Sequence, residues 1–296
     1  NIPSKEEQKK TIEIIENGTI SVLPDEGKVL NEVSITTNVP QSGVPEKGVI
    51  FSDYDDDGYP HTITIKQLSL IHYMLAQANI NISDSNNRIL GRVEKVNIEN
   101  EGLFEGFPEN FFDSLISLKT INILTTYSES VYYKDTAFSN TSIENIVFKN
   151  IQNDNNFGRN ICNNCRKLIN VTFENCNNII DIKYQAFNNC SSLTNITIPN
   201  SVTTINTYAF YGCNSLINLT IPENVTTISA YGLYIGTSTN KTTIIFKSIT
   251  PPSIQTSTFN NSALNKIYVP SASLEAYKTA TNWVNFADYI EANPNE

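Results

Sequence analysis

Ala186-Phe-Asn-Asn-Cys-Ser-Ser-Leu-Thr-Asn-Ile-Thr-Ile-Pro199 is followed by Ala209-Phe-Tyr-Gly-Cys-Asn-Ser-Leu-Ile-Asn-Leu-Thr-Ile-Pro222, one pattern written twice with Ala209 answering to Ala186. Self-similarity at such a period marks a solenoid, whose units cannot bury their apolar faces alone and stack on one another. Working outward, the triplet Leu193/Ile196/Ile198 recurs as Val93/Val96/Ile98, Leu118/Ile121/Ile123, Ile143/Ile146/Phe148 and Leu168/Val171/Phe173. Beyond it come Leu216/Leu219/Ile221 and Leu264/Ile267/Val269, and an eighth copy, Lys241/Ile244/Phe246, has lost its first apolar member. The final positions 98, 123, 148, 173, 198, 221, 246 and 269 are spaced by 25, 25, 25, 25, 23, 25 and 23. Chance does not hold that register over seven intervals.

Strand geometry explains the triplet. Its last two members are two residues apart and share one sheet face, so both point into the coil. A second apolar column, Phe112, Phe138, Cys162, Phe187, Phe210, Leu233 and Phe259, precedes each strand and is expected to plug the side of the coil away from the strands. Val202/Ile205 and Val225/Ile228 fit a short closing strand or turn.

The units Ala-Phe-x-x-Cys-x-Ser-Leu-x-x-(Ile/Leu)-Thr-Ile-Pro-x-x-Val-Thr-x-Ile resemble the BspA-like leucine-rich repeats of bacterial surface proteins over roughly residues 90–290. The commoner leucine-rich repeats carry an asparagine ladder three residues after the strand. Here that position holds Glu101, Thr126, Ile151, Cys176, Ser201, Asn224, Ile249 and Ala272. The expected fold is therefore a β-rich leucine-rich repeat solenoid, α/β by convention, behind a small β module. It should have about eight coils, each of roughly 23–25 residues.

The rest of the chain divides around the solenoid. Thr11–Ile15, Gly18–Leu23 and Val29–Val39 read as three strands, with Asn17-Gly18 as a hairpin signal. Residues 1–47 are thus a small N-terminal module plus linker, and residues 48–296 the repeat domain. The stretch 11–40 resembles a short β segment found ahead of repeats in some bacterial and prophage tail-associated proteins. Residues 48–92 read as an N-terminal cap, with a hairpin over Gly48–Lys66 and then either a short helix over Leu68–Ala78 or an irregular first repeat with Leu75 in the plug column. Residues 270–296 read as a helical C-terminal cap, with Ser273 capping a helix through Ala280 and Trp283, Phe286 and Ile290 closing the last coil.

Composition narrows the function. Net charge is −10 and only 17% of the residues are charged, which excludes the basic patches that nucleic acid requires. No run of apolar residues is long enough to span a bilayer. The chain opens on Asn1 rather than Met, so a secretion signal or anchor is expected outside it.

Asp53-Tyr-Asp55-Asp-Asp57-Gly58 copies the first half of a calcium loop, with Asp53, Asp55 and Asp57 as ligands. The bidentate Glu due at the twelfth position is replaced by Thr64, so a hairpin turn whose acidic residues face water is the favoured reading and a weak calcium site the lesser one. Cys162-x-x-Cys165 has zinc or redox spacing, but Cys162 stands in the plug column and Cys165 in register with Cys190 and Cys213. Buried thiols acting as small hydrophobes satisfy that register. There are two histidines and no nucleophile, phosphate-loop or dinucleotide motif, so no enzyme and no cofactor is expected.

The outward strand face carries the binding expectation. One column reads Lys95, Thr120, Asn145, Asn170, Asn195, Asn218, Thr243 and Lys266; its companion reads Asn97, Asn122, Val147, Thr172, Thr197, Thr220, Ile245 and Tyr268. The hydroxyls and amides among them, with Tyr268, make a mostly uncharged ribbon suited to many weak hydrogen bonds. The combined reading is a monomeric, secreted or cell-surface, adhesin-like module that binds a host or neighbouring-cell protein or glycan. A structural or tail-associated virion protein is the alternative that residues 11–40 suggest.

Overall fold

The computed structural model describes residues 127–295 except 238, 261 and 262, together with 9–15, 19–20, 32–37, 49–54, 60–65, 94–98, 104–107, 109, 111–112 and 116–123. The chain forms two compact units: Asn1–Phe104 with Ser114–Tyr127, and Glu105–Asp113 with Ser128–Glu296.

The first unit contains β1 (Lys9–Ile15), β2 (Thr19–Ile20), β3 (Glu32–Thr37), β4 (Val49–Tyr54), β5 (Pro60–Ile65) and β6 (Lys95–Ile98). β7 (Phe104–Phe107) pairs elsewhere, and β8 (Thr120–Ile123) completes a sheet of order β2-β1-β3-β4-β5-β6-β8. β1 and β2 are antiparallel across Asn17-Gly18, with Ile14 opposite Ile20, while β3 runs parallel to β1. β4 and β5 form the expected hairpin, Phe51 opposite Ile63. β5 then pairs in parallel with β6, Ile63 beside Val96, so this hairpin strand is also the first rung of the parallel ladder. The spacing misses that rung because Ile65 stands further from Ile98 than one repeat period. The helix or irregular first repeat expected over Leu68–Ala78 lies outside the described residues.

In the second unit β9 (Tyr127–Tyr133) pairs with β7. β10 (Asn145–Lys149), β11 (Asn170–Glu174), β12 (Asp181–Ile182), β13 (Asn195–Ile196), β14 (Thr204–Ile205), β15 (Asn218–Ile221) and β16 (Thr227–Ile228) follow. After them come β17 (Thr242–Phe246), β18 (Leu264–Val269), α1 (Leu274–Thr279) and β19 (Ile290–Ala292). Every coil has three sides. The triplet strands stack in parallel as β10-β11-β13 and β15-β17-β18-β19, and the closing strands as β12-β14-β16. The plug turns are joined by backbone hydrogen bonds: Cys162 N–H donates to Ala186 O at 2.8 Å and Phe187 N–H to Ala209 O at 2.9 Å. All seven plugs are buried, and Phe187 stacks on Phe210 with centroids 5.6 Å apart.

Three sequence expectations change. The first place of the eighth copy, where no apolar residue stands, is filled by Thr242 and not by Lys241. A bulge in the β17–β18 ladder sets Thr242 opposite Leu264, and Thr242 is buried with its hydroxyl donating to Leu216 O at 2.8 Å. The closing column extends beyond the Val-x-x-Ile pairs through Phe107, Tyr133 and Phe157, which align with Ile182, Ile205 and Ile228: Lys134 N–H reaches Phe107 O and Gly158 N–H reaches Tyr133 O as Asn206 N–H reaches Ile182 O. Ser273 stands before α1 but makes no capping bond, because its φ of −109° and ψ of 2° continue a 3-10 turn. A cap needs the extended conformation that aims its hydroxyl at the helix donors. Trp283 and Phe286 close the last coil as expected, with Trp283 Nε1 donating to Pro252 O at 2.7 Å.

Candidate binding ribbon on the strand face

Parallel register turns the outward positions into columns. In the second unit Asn145, Asn170 and Asn195 are direct neighbours across β10, β11 and β13. Identical side chains about 4.8 Å apart can bond along the stack. Asn170 Nδ2 donates to Asn145 Oδ1 at 2.6 Å and Asn195 Nδ2 to Asn170 Oδ1 at 2.8 Å. Each rung uses one donor and one acceptor, and Asn195 Nδ2 also donates to Thr194 Oγ1 at 3.0 Å. An asparagine ladder is therefore present, on the strand face and not in the position where the commoner repeats carry it.

Beside it Val147 faces Thr172, and Thr172 and Thr197 are exposed. Asn218, Thr243 and Lys266 continue the first column on β15, β17 and β18, and Thr220, Ile245 and Tyr268 the second. Lys266 is held by Glu291 of β19, its ammonium pushed upward in pKa first by that hydrogen bond. In the first unit Thr120 is exposed and Asn122 Nδ2 donates to Asn97 Oδ1 at 2.8 Å. The columns expected from the alternation are thus outward-facing and in register within each unit.

The other candidates separate. Asp53 is exposed at the end of β4 with a φ of 56°, and the buried Thr62 donates its hydroxyl to the Asp53 carboxylate across the hairpin. Asp55 and Asp57 lie outside the described residues. Cys162, Cys165, Cys190 and Cys213 are buried free thiols. Cys165 Sγ donates to Phe138 O at 2.9 Å, Cys190 Sγ to Cys162 O at 3.1 Å and Cys213 Sγ to Phe187 O at 3.2 Å, each to the plug carbonyl of an adjacent coil. Burial pushes the Cys162, Cys190 and Cys213 thiols up, which keeps them protonated. Among the described residues no three His, Cys, Asp or Glu side chains converge as metal ligands, and no helix is long and apolar enough to cross a membrane.

The family comparison agrees with this coil geometry. Six copies of the BspA type leucine-rich repeat region match across residues 155–282. These residues are BspA-type leucine-rich repeats. Similarity to solved structures is found at low identity. A leucine-rich repeat protein from Bacteroides ovatus is 18% identical with a TM-score of 0.44; the match covers 69% of this chain and 55% of that one, so the chain spans little more than half its length. A leucine-rich repeat protein from Eubacterium ventriosum is 17% identical with a TM-score of 0.36, covering 76% and 57%. The pneumococcal vaccine antigen PcpA is 16% identical with a TM-score of 0.32, covering 81% and 80%. No curated protein matches the chain. The stacked strands of these repeats explain both the ribbon and the buried thiol column.

One surface feature escaped the strand-face reading. Tyr184, Tyr208, Tyr211, Tyr231 and Tyr234 gather on the plug turns, Tyr208 parallel to Tyr231 and Tyr211 nearly parallel to Tyr234. The signal was in the sequence: 208 and 231, like 211 and 234, stand one repeat apart, as 186 and 209 do.

Proposed function

We propose that the chain is a non-enzymatic interaction module, adhesin-like, working outside the cell or at its surface and binding a protein ligand through the strand-face ribbon. The observation that carries this reading is the Asn145–Asn170–Asn195 ladder with Thr172 and Thr197 beside it. Amides already bonded to one another lose little further freedom when they meet a ligand, and that preorganisation favours binding. The repeat family, an interaction scaffold, supports the same reading.

The test replaces Asn170, Asn195 and Asn218 together by Glu and compares binding of fluorescently labelled wild-type and variant chains to intact host and neighbouring cells by flow cytometry. Three carboxylates in one column break the ladder and repel, so cell binding falls about tenfold or more while the circular dichroism spectrum is kept. Equal binding by a folded variant would remove the ribbon from the reading.

A further inference from the structure

The tyrosine cluster is built differently from the ribbon. Gln185, Tyr208 and Tyr231 occupy one place in successive plug turns, and Asn188, Tyr211 and Tyr234 another. Tyr208 and Tyr231 are parallel within 1° with centroids 5.0 Å apart, too close for coplanar rings, so they lie face to face with an offset. Tyr211 and Tyr234 repeat the arrangement at 5.3 Å, and Tyr211 meets Tyr208 at 5.5 Å and 78°. Tyr184, 42% exposed, meets Tyr208 edge-on at 6.3 Å.

Three properties define what this surface takes. First, its aromatic faces are largely spent on one another, so the paired rings present edges and phenol hydroxyls outward. None of the five hydroxyls bonds to another described residue. Second, the two columns carry no charge, in a chain of net −10. The nearby Lys183 is paired with Asp154 and Asp181. Third, the turn backbone aims the tyrosines from the left-handed region that this place in the repeat adopts. Tyr208 and Tyr231 hold positive φ of 59° and 57°, in a column where Thr136, Asn160 and Gln185 hold positive φ in the preceding turns. That region costs a side-chain-bearing residue ~1–2 kcal/mol, and Asn tolerates it better than Tyr.

We infer that the plug-turn face of residues 184–234 is a binding site for an extended, uncharged hexose polymer lying along the solenoid, one sugar to a coil. Coils advance by the strand spacing of ~4.8 Å, and an extended pyranose chain advances by nearly the same length per sugar. The coils of Tyr208/Tyr211 and Tyr231/Tyr234 then each offer a sugar two phenol hydroxyls. Gln185 continues the same track toward the N-terminus, while Asn188 is buried and donates its amide to Asn163 Oδ1 at 2.9 Å. Tyr184 supplies an exposed ring for the apolar face of a pyranose. The two columns themselves offer a charged polymer no ion pair. This site is separate from the strand-face ribbon and does not depend on it.

The repeat itself supplies fold-preserving variants. Gln and Asn already occupy the two columns one coil earlier, so Tyr208→Gln, Tyr211→Asn, Tyr231→Gln and Tyr234→Asn, combined, keep the turn. The measurement is migration in native gels cast with soluble β-glucan, α-glucan or mannan, with alginate as the anionic polymer, followed by titration with neutral oligosaccharides of increasing length. Expected are retardation by at least one neutral polymer, insensitivity to added salt, tighter binding of longer oligomers, and a loss of about tenfold or more in the quadruple variant at unchanged thermal stability. The Asn170, Asn195 and Asn218 ribbon variant keeps this binding. No retardation by any neutral polymer, retardation by alginate alone, or equal retardation of the quadruple variant overturns the inference. Tyrosine-dependent binding to a protein on cells without any glycan binding overturns it as well.

Discussion

Gly212 shows how closely a single position is set by the coil before it. Asn140, Asn164 and Asn189 occupy the equivalent place in successive plug turns with φ of 62°, 59° and 58°, and Gly212 follows with φ of 75°. The asparagines bond down the column, Asn164 Nδ2 to Asn140 Oδ1 at 3.2 Å and Asn189 Nδ2 to Asn164 Oδ1 at 3.1 Å. A Cβ added at Gly212 would meet Asn189 Oδ1 at 2.6 Å. Gly212→Ala therefore brings both a left-handed backbone penalty and a contact with no hydrogen bond, and should destabilise by ~1–2 kcal/mol. Gly212→Asn places a donor against the same oxygen, extends the ladder and should cost less than Ala. Urea midpoints of the two variants decide it: an Ala variant as stable as the Asn variant would mean that the ladder contributes nothing. At this scale the sequence was partly legible. Spacing alone assigned Lys241 to the first apolar place, because a one-residue bulge that seats Thr242 there leaves no mark in a fixed period.

The elements repeat this logic as columns. Strand and plug columns could be read from the sequence because each is apolar and returns at a nearly fixed interval. The closing column was legible only at Val202/Ile205 and Val225/Ile228; its earlier members Phe107, Tyr133 and Phe157 are aromatic and arrive through irregular loops. The outward columns of the ribbon followed from alternation, yet their hydrogen-bonded ladder needed the register. The cysteine column was read correctly as buried thiols in register, and its burial has a consequence for pH. A thiol whose pKa is raised above the ordinary 9.0 stays protonated in the folded chain after its unfolded counterpart has ionised. Stability is then intact below about pH 9 and falls as pH rises above it, by up to ~1.4 kcal/mol per pH unit for each such thiol. Thr141 occupies the same column one coil before Cys165 and donates its hydroxyl to Phe138 O at 2.8 Å, so Thr fits there. Cys213→Thr should narrow the difference in unfolding free energy between pH 8 and pH 10 by about one thiol's share. An unchanged difference would show that Cys213 does not contribute to alkaline loss of stability.

Across the repeat unit as a whole, stability is a sum of coil contributions and nearest-neighbour interfaces, so the last coil depends on what covers it. That cover is Trp283, Tyr277 and Phe286. Trp283 lies 5.1 Å from Phe246, 4.8 Å from Tyr277 and 5.7 Å from Phe259 between ring centroids, and Tyr277 donates its hydroxyl to Ser248 O at 2.8 Å. Trp283→Ala removes a buried ring from this junction and leaves a cavity, at a cost of ~3–5 kcal/mol. In a globular core that loss would be shared by every amide. In a stack it falls first on the coils that touch the cap, because each coil contacts only its neighbours. Amide hydrogen exchange in the variant should therefore accelerate most in β17 and β18, while β10 and β11 keep most of their protection. Uniform acceleration from β10 to β18 would mean that the stack unfolds as one cooperative body and that cap and coils are not separable.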